Sequence, residues 1–163
     1  MSSPNGTGMH EMATPEHDRL QKWFSNIFTE YEEKIRKSYL YFDDDFRLEW
    51  EYQITSWDNK TPVRSADFVI FSGKEISAIV EIKPNNKFFS VGGTIRQLKN
   101  YEQLLKEKLI RNETLLVVLD DVSEEDEKAF EQANITVLTV KKWEKADEDE
   151  RIEILTSIAN PNE

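Results

Sequence analysis

The sequence predicts an α/β (α+β) domain in which a mixed central sheet is flanked by helices, in the order α-β-β-β-α-β-α-β-α. Three patterns carry that expectation. Apolar residues recur at helical spacing from Leu20 to Ile35, polar and apolar residues alternate strictly from Leu48 to Ile54, and beyond Ala66 short continuous apolar runs are interleaved with helical segments. A length of 163 residues suits one domain. It is expected to span residues 15–163, behind an N-terminal arm, residues 1–14, whose Ser-Pro-Asn-Gly-Thr-Gly stretch has nothing to bury and reads as disordered.

In the first helix Thr14 is the N-cap and Pro15 the first helical residue, and Leu20, Trp23, Phe24, Ile27, Phe28, Tyr31 and Ile35 line one face. His17 falls on that face and is read as a packed or hydrogen-bonded histidine, with no catalytic role assigned. After the acidic break Asp43-Asp44-Asp45, a half-buried strand turns Leu48, Trp50, Tyr52 and Ile54 to one side and Glu49, Glu51 and Gln53 to the other. Asp58-Asn59-Lys60 then turns the chain. Ala66 to Phe71 and Ile76 to Ile82 form an antiparallel hairpin through Ser72-Gly73-Lys74-Glu75, ended by Pro84-Asn85-Asn86. A segment through Phe88, Phe89, Gly92 and Gly93 follows, its phenylalanines read as core in preference to base-stacking residues and its glycines either as a flexible hinge or as backbone N–H groups offered to a phosphate before a helix. A helix is expected from about Thr94 to Ile110, burying Ile95, Leu98, Tyr101, Leu104 and Leu105. Leu115 to Leu119 and Ile135 to Val140 read as buried strands, separated by a helix capped at Ser123, and one charged helix from about Lys141 to Ile158 closes the domain.

Composition removes several function classes. With no cysteine there are no disulfides and no thiolate metal sites, and two histidines are too few for a His-rich zinc centre. No apolar run reaches the ~20 residues that cross a bilayer and no signal peptide opens the chain, so no membrane role and a cytoplasmic setting are expected. The net charge of −11 opposes a polyanionic partner, but it is unevenly spread: residues 60–111 hold ten Lys/Arg against five acids, a local +5, leaving −16 for the rest. That asymmetry suits an anionic ligand held on one face, or two ordinary solvated surfaces.

The pattern acid-x-Lys occurs four times, at Glu32, Asp58, Glu81 and Asp126. Only Glu81-Ile82-Lys83 stands at the end of an apolar strand, where residues two apart share a face and the carboxylate and ammonium emerge side by side. A hairpin turning at Gly73 brings Asp67 alongside Glu81. Two carboxylates ~4 Å apart repel by roughly 4 kcal/mol at an effective dielectric near 20, a cost that a hard divalent cation removes. Mg2+ binds through one or two carboxylates with waters and phosphate oxygens, and Lys83 can orient the attacking water and offset charge on the transition state.

Arg64-Ser65-Ala66-Asp67, Glu81-Ile82-Lys83 and Gln97-Leu98-Lys99-Asn100-Tyr101 together resemble the PD-(D/E)xK nuclease superfamily. More narrowly, Arg64 to Tyr101 is similar to the nuclease domain at the N-terminus of type I restriction enzyme motor subunits. Ala66 stands where Pro is usual, and the sequence contains no Gly-x-x-x-x-Gly-Lys phosphate loop of a motor. The resemblance implies a restriction-endonuclease-like sheet, Mg2+ or Mn2+ held by Asp67 and Glu81, and DNA as the partner, cut by endo- or exonuclease action. It implies that Gln97 and Tyr101, on one helical face, position substrate or water, with a core aromatic as the alternative for Tyr101. It also implies a further metal-ligating acid on the first helix: Glu16, with Glu30 behind it, each otherwise a solvated acid complementing the helix dipole. Lys87, Arg96 and Lys99 are the expected nucleic-acid contacts. A homodimer is left open. The alternative function is a catalytically silent nuclease-fold protein that binds nucleic acid or another protein.

Overall fold

The computed structural model describes residues 14–38, 46–55, 62–84 and 89–159. The expected arm up to Ala13, the Asp43-Asp44-Asp45 break, the turn at Asp58-Asn59-Lys60, Asn85, Asn86, Lys87, Phe88 and the side chain of Arg64 lie outside the described residues. The architecture is mixed α/β. Five strands, β1 (Phe46–Thr55), β2 (Pro62–Ser72), β3 (Glu75–Ile82), β4 (Leu109–Leu119) and β5 (Ile135–Thr139), form one sheet in the order β1-β2-β3-β4-β5. β1/β2 and β2/β3 are antiparallel, β3/β4 and β4/β5 parallel. The sheet is therefore mixed, as expected.

Helices cover both faces. α1 (Pro15–Ser38) opens where Thr14 Oγ1 accepts from the His17 N–H at 3.1 Å, and its apolar stripe packs Leu20, Phe24 and Phe28 onto Phe68, Ile70 and Val80. α4 (Val140–Lys145) and α5 (Glu148–Ala159) complete that layer through Trp143, Leu155 and Ile158. On the other face α2 (Val91–Leu104) and α3 (Glu124–Gln132) bury Leu98, Tyr101 and Phe130 against Val69, Ile79, Leu115 and Val117. β3 and β4 are buried on both faces, hence their continuous apolar runs. No described helix is long and apolar enough to cross a membrane.

Three elements depart from expectation. α2 starts at Val91 instead of Thr94, because Ser90 caps it, its Oγ accepting from the Gly93 N–H at 3.1 Å. The two glycines are the first turn of the helix and not a hinge; a Cβ on Gly93 would lie 3.3 Å from that cap oxygen, so glycine suits the position. α2 also stops at Leu104 instead of Ile110, and a single 3-10 turn, Lys106–Lys108, delivers the chain into β4, whose polar beginning Arg111-Asn112-Glu113 masked its strand character. The expected final helix is two. Asp147 breaks it by a reciprocal cap, accepting from the Glu150 N–H at 2.8 Å while Glu150 Oε1 accepts from the Asp147 N–H at 3.0 Å.

β1 carries the fourth difference. Strict alternation would put Leu48, Trp50, Tyr52 and Ile54 on one face, yet Leu48 and Trp50 pack on the α1 side and Tyr52 and Ile54 on the α2 side. The switch occurs at Glu51, whose φ of 51° rotates the strand by one residue. β2 changes face at the same row, between Ala66, packed with the α2 cluster, and Phe68, packed with the α1 cluster. Asp67 stands at that turning point.

Candidate active site

Asp67 and Glu81 meet because β2 and β3 turn at Gly73-Lys74 and pair in a register with Phe68 opposite Val80, the last row of the ladder. On the next row side chains replace the backbone bonds. Glu81 Oε2 accepts from the Asp67 N–H at 3.0 Å, and Asp67 Oδ2 accepts from the Ile82 N–H at 2.8 Å. The two strands thus exchange carboxylates where they stop exchanging amides. Both residues are buried, 4% and 3% exposed. Burial of two acids is costly unless their oxygens are satisfied, and these backbone bonds satisfy one oxygen of each.

The other oxygen of each acid faces a basic side chain. Lys83 Nζ lies 3.7 Å from Glu81 Oε1, with 27% of the lysine side chain exposed, and the Lys83 N–H donates to the Val118 carbonyl at 2.9 Å, which anchors the end of β3 on β4. His17 Nε2 lies 3.1 Å from Asp67 Oδ1. Burial alone would lower the His17 pKa, but the hydrogen bond to Asp67 and the charges of Asp67, Glu51 and Asp18 outweigh it and raise the value above the ordinary 6.5. His17 Nδ1 is buried without a hydrogen bond, 4.0 Å from Asp18 Oδ1.

One turn along α1, Gln21 donates from Nε2 to Glu51 Oε2 at 2.8 Å and to the Asp67 carbonyl at 3.4 Å. The left-handed backbone at Glu51 is what makes this reach possible, since it turns an edge-strand carboxylate toward α1. Arg19 holds the same helix end in place, Nη2 donating to Asp120 Oδ1 at 2.9 Å and Oδ2 at 3.2 Å just past the end of β4. Three acids, a histidine, a glutamine and a lysine therefore gather in the middle of β2, where its pairing with the end of β3 stops.

Of the residues singled out in the sequence, Asp67, Glu81 and Lys83 are brought together. Gln97 Nε2 donates to the Tyr101 hydroxyl at 2.8 Å, and that hydroxyl donates to the Ser65 carbonyl at 3.3 Å, two residues before Asp67. Tyr101 is fully buried, so it is a core aromatic that also fixes the strand carrying Asp67. Glu16 is exposed in the first turn of α1, and its neighbour His17 is the α1 side chain that meets Asp67. Glu30 is exposed further along the helix. Arg96 is exposed on α2, and Lys99 is partly exposed, 3.9 Å from Glu102. Lys87 lies outside the described residues.

His17, Gln21 and Glu51 are the additions. The first two had a signal: polar residues four apart, on the apolar stripe of α1 at its N-terminal end. Glu51 had none, because the left-handed region favours Gly, Asn and Asp and a glutamate there is not foreseeable from residue type.

Among the described residues no group of three or more His, Asp or Glu is arranged as a ready metal cage. The residues whose chemistry could hold a hard divalent ion are Asp67 and Glu81, whose carboxylate oxygens here meet backbone N–H groups, His17 and Lys83. Mg2+ takes one or two carboxylates and fills its sphere with waters and phosphate oxygens, and Asp67 and Glu81 are a buried pair of that kind, each oriented by a backbone N–H. No family model, characterised protein or solved structure matches the chain.

Proposed function

We propose that this chain is a metal-dependent nuclease with a restriction-endonuclease-like core, hydrolysing DNA phosphodiester bonds at Asp67, Glu81 and Lys83. The observation that supports it most is the carboxylate exchange at the end of the β2–β3 ladder, with Lys83 Nζ 3.7 Å from Glu81. Asp67 and Glu81 would hold Mg2+ or Mn2+, which supplies charge neutralisation of the phosphate and acidifies a bound water. Lys83 orients the attacking water and offsets the charge that develops on the phosphate oxygens. His17 holds Asp67 from the α1 side, and Gln21 holds both the Asp67 backbone and Glu51. Tyr101 and Gln97 position β2 through the Ser65 carbonyl.

The test is incubation of the purified chain with single-stranded, double-stranded and branched DNA in Mg2+, in Mn2+ and in chelator. Cleavage of at least one substrate with either ion, abolished by chelator, is the expected result. Intact DNA in every condition counts against a nuclease and favours a nucleic-acid-binding or protein-interaction module on the same fold.

A further inference from the structure

Trp50 is the large apolar side chain that the described residues leave exposed, at 46%. It lies on β1, the edge of the sheet, directly opposite Phe68, so it stands one row from Asp67. Its ring meets Phe68 edge-on at 4.8 Å with 65° between the planes. Phe68 is itself fixed, fully buried and 5.4 Å from Phe24 of α1. That contact sets the tilt of the indole and leaves at least one of its faces unstacked. The row that follows is Glu51, where β1 turns left-handed and whose carboxylate meets Gln21 beside the Asp67 carbonyl, so Trp50 is the chain neighbour of a residue of the site. The flanking acids are engaged, Glu49 with Arg47 at 3.2 Å and Glu51 with Gln21 at 2.8 Å.

We propose that Trp50 is a stacking platform for an unpaired nucleobase beside the scissile phosphate, which makes single-stranded DNA the substrate class; this rests on the nuclease reading of Asp67 and Glu81. In a duplex each base is stacked on its neighbours and offers no face to a side chain at the edge of the groove, whereas an unpaired base does. A rigid indole loses little conformational freedom when a base stacks on it. One stacked base is worth about tenfold in affinity.

The experiment uses the full chain and a short fluorescein-labelled single strand beside its blunt duplex, with binding read by anisotropy in chelator and cleavage read separately in Mg2+. Trp50→Ala should lose about tenfold in single-strand affinity, with a matching rise in KM and a retained kcat, while duplex binding is unchanged. Trp50→Phe should keep most of the affinity, and Trp50→Leu, which keeps apolar contact with Phe68 but no π-face, should show the same loss of about tenfold and takes the place of Trp50→Ala if that variant unfolds. Single-strand affinity indifferent to Trp50→Leu, or equal losses on single strand and duplex, overturns the platform and leaves the nuclease reading standing. A wild-type chain that cuts nothing yet binds single strands through Trp50 overturns the nuclease reading alone, and binding to neither DNA overturns both.

Discussion

A glutamate in the left-handed region costs of the order of 1 kcal/mol or more, and Glu51 carries that cost one row from two buried acids. Comparing Glu51→Gly with Glu51→Ala isolates the backbone, because both lose the carboxylate. The glycine variant should be the more stable by about 1 kcal/mol in denaturant titrations, the reverse of the usual order in a strand. An alanine variant as stable as the glycine one would mean the strand relaxes at no cost. His17 is raised in the fold, so its contribution to stability is complete below the unfolded value near 6.5 and disappears as pH rises through the higher folded value. His17→Gln should therefore destabilise the metal-free protein more at pH below 6 than at pH above 8; a constant difference would remove charge from the His17–Asp67 contact. Asp67, Glu81 and Lys83 were legible in the sequence because turn position and two-residue strand spacing determine who faces whom. The reach of Gln21 and Glu51 was not, since it depends on one backbone angle that residue type does not announce.

The elements whose boundaries coincide with a cap or a period were legible: α1 from Thr14-Pro15, α3 from Ser123, and the β2–β3 hairpin about Gly73. Those set by tertiary pairing were not. β4 begins six residues ahead of its apolar run because Leu109 pairs with Ile76, and its next partner in the ladder is Thr114 opposite Ala78, so residues between them bulge from the sheet. Glu113 lies in that bulge. Burial first, and then a hydrogen bond with Glu102 of α2, pushes its carboxyl up to about 7. A raised acid weakens the fold as pH rises: below about 4.5 both states hold the proton, and between 4.5 and about 7 the unfolded chain releases it while the folded one retains it. Stability should therefore fall across that window, and Glu113→Gln should flatten the fall. An identical slope in the variant would show that the pair is solvated and uncoupled from folding.

Across the whole molecule, the mixed sheet sets its parallel strand ends and the middle of β2 on one edge, and α1 crosses that edge with His17, Arg19 and Gln21. The sheet type and its helical layers were readable from hydrophobic period, whereas the division of α4 from α5 was hidden because both segments are charged and helix-forming. Under the proposed function, a chain of net charge −11 would meet DNA through its basic segment, and a divalent ion held by Asp67 and Glu81 would remove repulsion where the phosphate comes closest. That ion is the centre of the account. Single-turnover cleavage of labelled DNA in Mg2+ by wild type and by Glu81→Gln, a change of one charge and almost no volume, tests it most directly. The rate should fall by roughly a thousandfold or more with the melting transition little changed; cleavage by Glu81→Gln at the wild-type rate, or cleavage that persists in chelator, would contradict it.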